Sequence, residues 1–437
     1  MRQCYSARSP CDISKLATLP GTPFGPSRLA DLTPTELRRS ASTWGPRHLV
    51  PYRLLVQPVT SYLKAFEVDH RQSCPVCSPK NASAQILDHD MVKNLLRDVD
   101  IHSTKRDLLR EPGGFFWVSL ALACHPDRKN ETKTYPERER RPMTNSHYAD
   151  SSVAIPGSSS PTQPSSSEYE DAASRDIDED EYEERRRIPE DIAARLGTDF
   201  ASFALQLCLI QGDRSVEICP RVDHRRTKTT IANVDNIICE DDGGLCEFEK
   251  TPHGWVAAHP FIALFEAKRA FGQLWVDPKT GESSPITSDQ TLAQYLAEAV
   301  ITRRGNRKFF KREWVPLHNE KAKSSAIMLS SVFIVALSST FGRICHFHFG
   351  DYYDEYLDAS AADQGHLIND NTKDTCVHLQ CTKWFNLQTS DGRKIGLCHI
   401  LALLRWYHTQ DHEGSAGASS DTNMSSSSSS GSDMDYG

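Results

Sequence analysis

The chain has no long hydrophobic run. Its most apolar stretch, IMLSSVFIVAL at residues 327–337, is too short and too rich in serine to span a bilayer. MRQCYSARSP at the start lacks the apolar segment that heads a secreted protein. The thirteen cysteines are scattered through 437 residues rather than packed into the framework of a small secreted domain. Several stand inside apolar segments (Cys208, Cys219, Cys239, Cys345), as reduced thiols do. No glycine-rich phosphate loop, nucleophile elbow or Ser/His/Asp spacing stands above chance. These absences point to a soluble intracellular protein, with no signal that chooses between nucleus and cytoplasm. They set aside secretion, membrane insertion and P-loop or triad chemistry.

The net charge of −8 lies partly in two acidic, serine-rich stretches and says little about what a folded part binds. Residues 1–31 carry scattered Pro, Gly and Ser and predict a flexible lead-in. Residues 32–124 read as a small, mostly helical region. Thr33, Pro34 and Glu36 form a helix start with a capping box, and Met91, Leu95, Leu96 and Val99 recur at helical spacing over residues 90–109. Residues 125–187 and 413–437 are runs of Ser, Pro and acid with few aliphatics. Such segments cannot offset a chain entropy of ~1–2 kcal/mol per residue, so a disordered linker and a disordered tail are expected.

Residues 188–412 alternate helix and strand. A helix is predicted from Pro189 to about residue 208, on a stripe of Ile192, Leu196, Phe200 and Phe203. Strands follow at 216–222, 231–239 and 261–267, and 273–276 continues the third or hairpins after it. Thr287 and Gln290 open a helix that Gly305 closes. Further strands are expected near 327–337, 343–349 and 377–385, and GRKIGLCHILALLRWYHTQ is a final amphipathic helix. The fold class is α/β, a mixed sheet flanked by helices in the order α-β-β-β-α-β, with C-terminal strands and a helix added.

The third strand ends in chemistry. In HPFIALFEAKRAF an apolar run terminates in Glu266, Ala267 and Lys268, so the carboxylate and the ammonium emerge on one face. Two tripeptides of the same kind lack that setting. Glu131-Thr132-Lys133 lies in the polar linker, and Asp277-Pro278-Lys279 holds a turn-forming proline. A surface ion pair is the plain reading of Glu266 and Lys268; a metal-assisted phosphodiesterase site is the functional one. The latter needs a second carboxylate, since Mg²⁺ is held by one or two carboxylates with water and phosphate oxygens. Asp235, on the preceding predicted strand, is placed to face Glu266. Asp241 and Asp242 are weaker candidates, because acids are ordinary in a Gly-Gly turn.

These residues, in this order of elements, resemble the PD-(D/E)XK nuclease superfamily, in particular the nuclease-like domains found in uncharacterised fungal proteins. The resemblance covers residues 188–412. It implies a restriction-endonuclease-like fold, Mg²⁺ or Mn²⁺ as cofactor, nucleic acid (DNA or RNA) as partner, and cleavage that leaves a 5′-phosphate. It makes Asp235 and Glu266 the metal carboxylates, with the carbonyl of Ala267 as a further ligand and Lys268 orienting the attacking water. The chain departs from the pattern in two places: Val234, not proline, precedes Asp235, and the gap to Glu266 is long. RecB-type relatives carry a Gln-x-x-x-Tyr pair on the next helix, and Gln294, with Tyr295 one place off, is the candidate here. Gln294 and Glu298 turn away from the apolar stripe, toward solvent or a groove. Two functions follow: an active phosphodiesterase, or an inactive nuclease-like fold that binds nucleic acid or protein.

Other motifs are weaker. His70, Cys74 and Cys77 suggest half of a zinc site, which Cys124 and His125 could complete; with one Cys-x-x-Cys and not two of matched spacing, ordinary thiols in a turn are the preferred reading. His346 and His348 share one face of a strand, as metal ligands or as a half-buried pair. Basic clusters at residues 221–228 and 301–312, the second with Phe309 and Phe310, suit a phosphate-backbone surface or a solvated loop.

Overall fold

The run over residues 260–267 has no polar side chain until Glu266, the pattern of a strand covered on both faces. In the computed structural model every one of these residues is buried, at the centre of the main sheet. The structure describes residues 5–67, 74–77, 87–124, 190–210, 216–268, 274–276, 281, 283–310 and 331–412. The predicted linker at 125–187 and tail at 413–437 lie outside the described residues, as do residues 188–189, His70 and His125.

Twelve strands run in chain order among the described residues. They are β1 (Leu54–Val56), β2 (Val216–Arg221), β3 (Arg226–Ile231), β4 (Val234–Glu240), β5 (Gly244–Thr251) and β6 (Gly254–Lys268). The rest are β7 (Leu274–Val276), β8 (Ser283–Pro285), β9 (Ser331–Ser338), β10 (Phe341–Phe349), β11 (Val377–Cys381) and β12 (Phe385–Asn386). The main sheet has the order β1-β11-β10-β9-β6-β5-β2, with β12 on β10. β2, β5 and β6 form an antiparallel meander, and β6 pairs in parallel with β9, Glu266 opposite Ala336. Parallel neighbours need a crossover, and the chain makes it through the helix Asp289–Gly305. The order is helix, three meander strands, helix, parallel strand, with the β3–β4 ribbon between the first two strands.

Helices cover both faces. Leu264, Ile334 and Phe347 point into one core with Leu292, Tyr295 and Leu296 of the crossover helix and Trp44 and Tyr52 of the N-terminal part. Phe265, Phe333 and Leu337 point into the other with Phe200, Trp117 and Leu401. The molecule is therefore a mixed α/β fold with its sheet between two helical layers.

Several expectations are corrected. Residues 5–31 hold the helix Pro10–Thr18, opened by a capping box of Ser9 and Asp12, and bury Tyr5, Ile13, Leu16 and Phe24 in the first core. Residues 32–124 do not stand apart: β1 pairs with β11 at the sheet edge, and Trp117 belongs to the second core. The predicted 90–109 helix is two, His89–Leu96 and Lys105–Arg110. Ser288, not Thr287, caps the crossover helix by accepting from Thr291 N, while Gln290 donates to Trp44 O at 2.6 Å. The predicted 231–239 strand is the second arm of a ribbon, whose turn residues Ala232 and Asn233 have φ of 50° and 60°. β5, taken as part of a long gap, is the true neighbour of β6.

Candidate metal centre

β6 delivers Glu266 and Lys268 to one face, as alternation requires, and Lys268 Nζ donates to Glu266 Oε1. It also donates to Glu190 Oε1 at 3.1 Å, from the first residue of the helix Glu190–Ser202. Asp242 arrives from the turn before β5. Its backbone N–H donates to Phe265 O at 3.1 Å, Phe265 N–H donates to Gly243 O at 2.9 Å, and Ala267 N–H donates to Asp242 Oδ2 at 2.8 Å. The N–H and C=O of one strand residue face the same edge, so the Ala267 carbonyl looks toward the Asp242 side as well.

The neighbouring acid does different work. Asp241 is buried and takes both guanidinium nitrogens of Arg221, Nη1 to Oδ1 at 3.0 Å and Nη2 to Oδ2 at 2.8 Å. It also accepts from the N–H groups of Arg225 and Gly243. Gly243 has φ +118°, and a Cβ there would stand 2.6 Å from Arg221 O. Only glycine fits that close approach, so the turn that aims Asp242 is fixed from beneath.

Carboxylate oxygens of Glu190, Asp242 and Glu266 lie within 4.8 Å of one another. Octahedral Mg²⁺ at ~2.1 Å from oxygen sets ligand separations of ~3 to ~4.2 Å, so a small contraction closes this set on one ion. Glu266 is only 2% exposed, and burial, partly offset by the Lys268 ammonium, pushes its carboxyl up to about 7. Burial also raises Asp242, against the pull of the Ala267 N–H and of Lys268. Burial draws the Lys268 ammonium down, but Glu266, Glu298 and Glu190 outweigh it and hold it above its ordinary value.

The floor of the site is a residue pair on the crossover helix. Gln294 Nε2 donates to Glu266 Oε1 at 2.5 Å and to Glu298 Oε1 at 3.0 Å. Glu298 is buried, and burial together with the Glu266 charge raises its carboxyl well above the carboxylate range. Its Oε2 has no hydrogen-bond donor among the described residues, which a protonated carboxyl tolerates by facing Glu266. With Glu298 protonated, the three carboxyls of Glu190, Asp242 and Glu266 around one ammonium still place acid in excess, and hard oxygen donors suit Mg²⁺ or Mn²⁺.

No protein-family model, curated protein or solved structure matches the chain.

Of the residues predicted for the site, the structure brings Glu266, Ala267, Lys268 and Gln294 together. Asp235 is not with them. It is exposed on the ribbon, bound by Thr230 Oγ1 at 2.6 Å, and β4 pairs with β3 rather than with β6. Asp242 stands where Asp235 was expected. Glu190 and Glu298 were missed as site residues: an acid in a first helical turn is ordinary, and Glu298 carried only its place one turn after Gln294.

The other motifs resolve unevenly. Arg221 of the first basic cluster is buried against Asp241, and Arg225 lies over the Phe261 ring. Arg303 and Arg304 of the second are paired with Asp354 and Asp358. Arg226, Lys228 and Lys308 remain exposed; Lys311 and Arg312 lie outside the described residues. His346 stacks on Phe333, bonds Ser331 Oγ at 2.9 Å, and is pushed by burial down to about 3. Neither it nor His348 belongs to a group of three ligand-type residues at metal spacing among the described residues. Cys124 accepts from Gln388, apart from Cys74 and Cys77, which meet Cys398 instead.

Proposed function

We propose that this chain is a metal-dependent nuclease that hydrolyses phosphodiester bonds of DNA or RNA, with Asp242 and Glu266 as the metal carboxylates, the Ala267 carbonyl as a third donor and Lys268 beside the scissile phosphate. The observation that carries this reading is the convergence of Glu190, Asp242 and Glu266 within 4.8 Å at the end of a buried strand that also presents Lys268. The helix, three-strand meander, helix and parallel strand support a restriction-endonuclease-like core of the PD-(D/E)XK type, with the β3–β4 ribbon as an insertion.

When bound, a divalent cation supplies a Lewis acid for the phosphoryl oxygens and activates water as the nucleophile. The chain supplies the remainder. Asp242 is held by the Ala267 N–H and Glu266 by Gln294, so both carboxylates are oriented in advance of cation binding. The Lys268 ammonium offsets charge that develops on the phosphate. Glu298 keeps a proton beside Glu266 while the site is empty of cation, which lowers the repulsion among the acids.

The test is cleavage of mixed DNA and RNA by the full chain with Mn²⁺ at pH 8. Wild type should yield 5′-phosphate ends, Lys268→Ala should lose about 10²-fold or more, and Asp235→Ala should match wild type. Mn²⁺ binding without cleavage of any substrate would favour the nucleic-acid or protein binding module instead.

A further inference from the structure

A second cluster lies in the layer of the C-terminal helix and shares no residue with the acidic site. Cys74 and Cys77 occupy one tight turn, and Cys398 projects from the helix Ser390–His412, more than three hundred residues later. The Sγ atoms of Cys74 and Cys398 are 3.7 Å apart, and those of Cys77 and Cys398 are 3.5 Å apart. All three sulfurs fall within 4.8 Å of one another.

Those separations discriminate between chemistries. A disulfide brings its sulfurs to ~2.05 Å, so neither pair is joined by one. Tetrahedral zinc at ~2.3 Å from each thiolate sets the sulfurs ~3.8 Å apart along an edge, which both distances approach. Three clustered thiols have only weak S–H donors and sulfur acceptors to offer each other. Two of the three, Cys74 and Cys398, are buried. The Tyr62 hydroxyl hydrogen-bonds Cys77.

We propose that Cys74, Cys77 and Cys398 bind a zinc ion as three thiolates, stapling the N-terminal Cys-x-x-Cys turn to the C-terminal helix. Soft sulfur donors select zinc over the magnesium that suits the carboxylates of the other site. Binding displaces the thiol protons and is itself folding free energy, because the three ligands meet only in the folded chain. The fourth coordination position is left to water or a further donor.

The test is elemental analysis of the full-length protein purified without chelators. Wild type should carry about one zinc per chain, Cys77→Ser should lose it several-fold, and Asp242→Asn should keep it. Cys77 is exposed, so its serine variant folds even if Cys398→Ala does not. Cobalt exchanged into wild type should give thiolate-to-metal charge-transfer absorption that Cys77→Ser weakens, and a zinc chelator should lower the thermal midpoint of wild type more than that of the variant. Wild type free of zinc, iron in its place, or full zinc content in Cys77→Ser overturns the proposal. Loss of zinc in Asp242→Asn but not in Cys77→Ser would assign the ion to the acidic site.

Discussion

Asp242 Oδ2 accepts a 2.8 Å hydrogen bond from the backbone N–H of Ala267, the residue between Glu266 and Lys268. That bond couples the turn before β5 to the end of β6, so the two carboxylates of the site are positioned against each other by main chain. An asparagine at 242 can keep the bond through its carbonyl oxygen and lose only the charge. Asp242→Asn is therefore expected to retain the fold, checked by circular dichroism, while losing cation affinity.

The adjacent acid should behave in the opposite way. Asp241→Ala strands the buried Arg221 guanidinium, and breaking a buried pair on one side costs about 3–5 kcal/mol. Urea unfolding should show a loss of that size, larger than for Asp242→Asn, and an unchanged midpoint would remove Asp241 from its structural role.

Glu298 gives a pH signature. Its folded carboxyl is raised above the ordinary value of 4.5, so the native state holds a proton that the unfolded chain releases as pH rises. Stability is thus lost through the window above that ordinary value. Glu298→Gln keeps the acceptor for Gln294 and can donate to Glu266, so it should stabilise the protein at pH 8 by about 1–3 kcal/mol and make little difference at pH 4. Equal gains at both values would show that ionisation of Glu298 is not the cause.

Glu266, pushed up to about 7, makes cation binding acid-sensitive. A proton competes with the ion below that value, so affinity for Mn²⁺ should fall by up to about tenfold per unit between pH 7 and pH 5. In Glu298→Gln the amide still donates to Glu266 in place of the carboxyl proton, so the inflection should stay near its wild-type position. A flat profile from pH 8 to pH 5 would contradict the shift.

Much of this was legible in the sequence, and the reasons differ by element. The apolar run of β6 announced a central strand, and its alternation put Glu266 and Lys268 on one face. The capping box at Thr33 and Glu36 formed as written. What failed was pairing. The β3–β4 ribbon and β5 are both short polar-apolar strands, and nothing local says which one lies beside β6; tertiary packing decides it. Asp235 was preferred on that mistaken neighbour. The signal for the correct one was the Pro-His-Gly turn at residues 252–254, which joins β5 to β6 as a hairpin and puts the start of β5 beside the end of β6. Glu190 and Cys398 were beyond reach, because each is brought to its partners only by the folded arrangement of helices around the sheet.

The most direct measurement is Mn²⁺ titration calorimetry at pH 8 on wild type, Asp242→Asn and Asp235→Ala. The site described here predicts one Mn²⁺ binding event in wild type, unchanged in Asp235→Ala and weakened at least about tenfold in Asp242→Asn, as for loss of one charged ligand. Binding that survives Asp242→Asn and disappears in Asp235→Ala, or no binding in wild type, would contradict it.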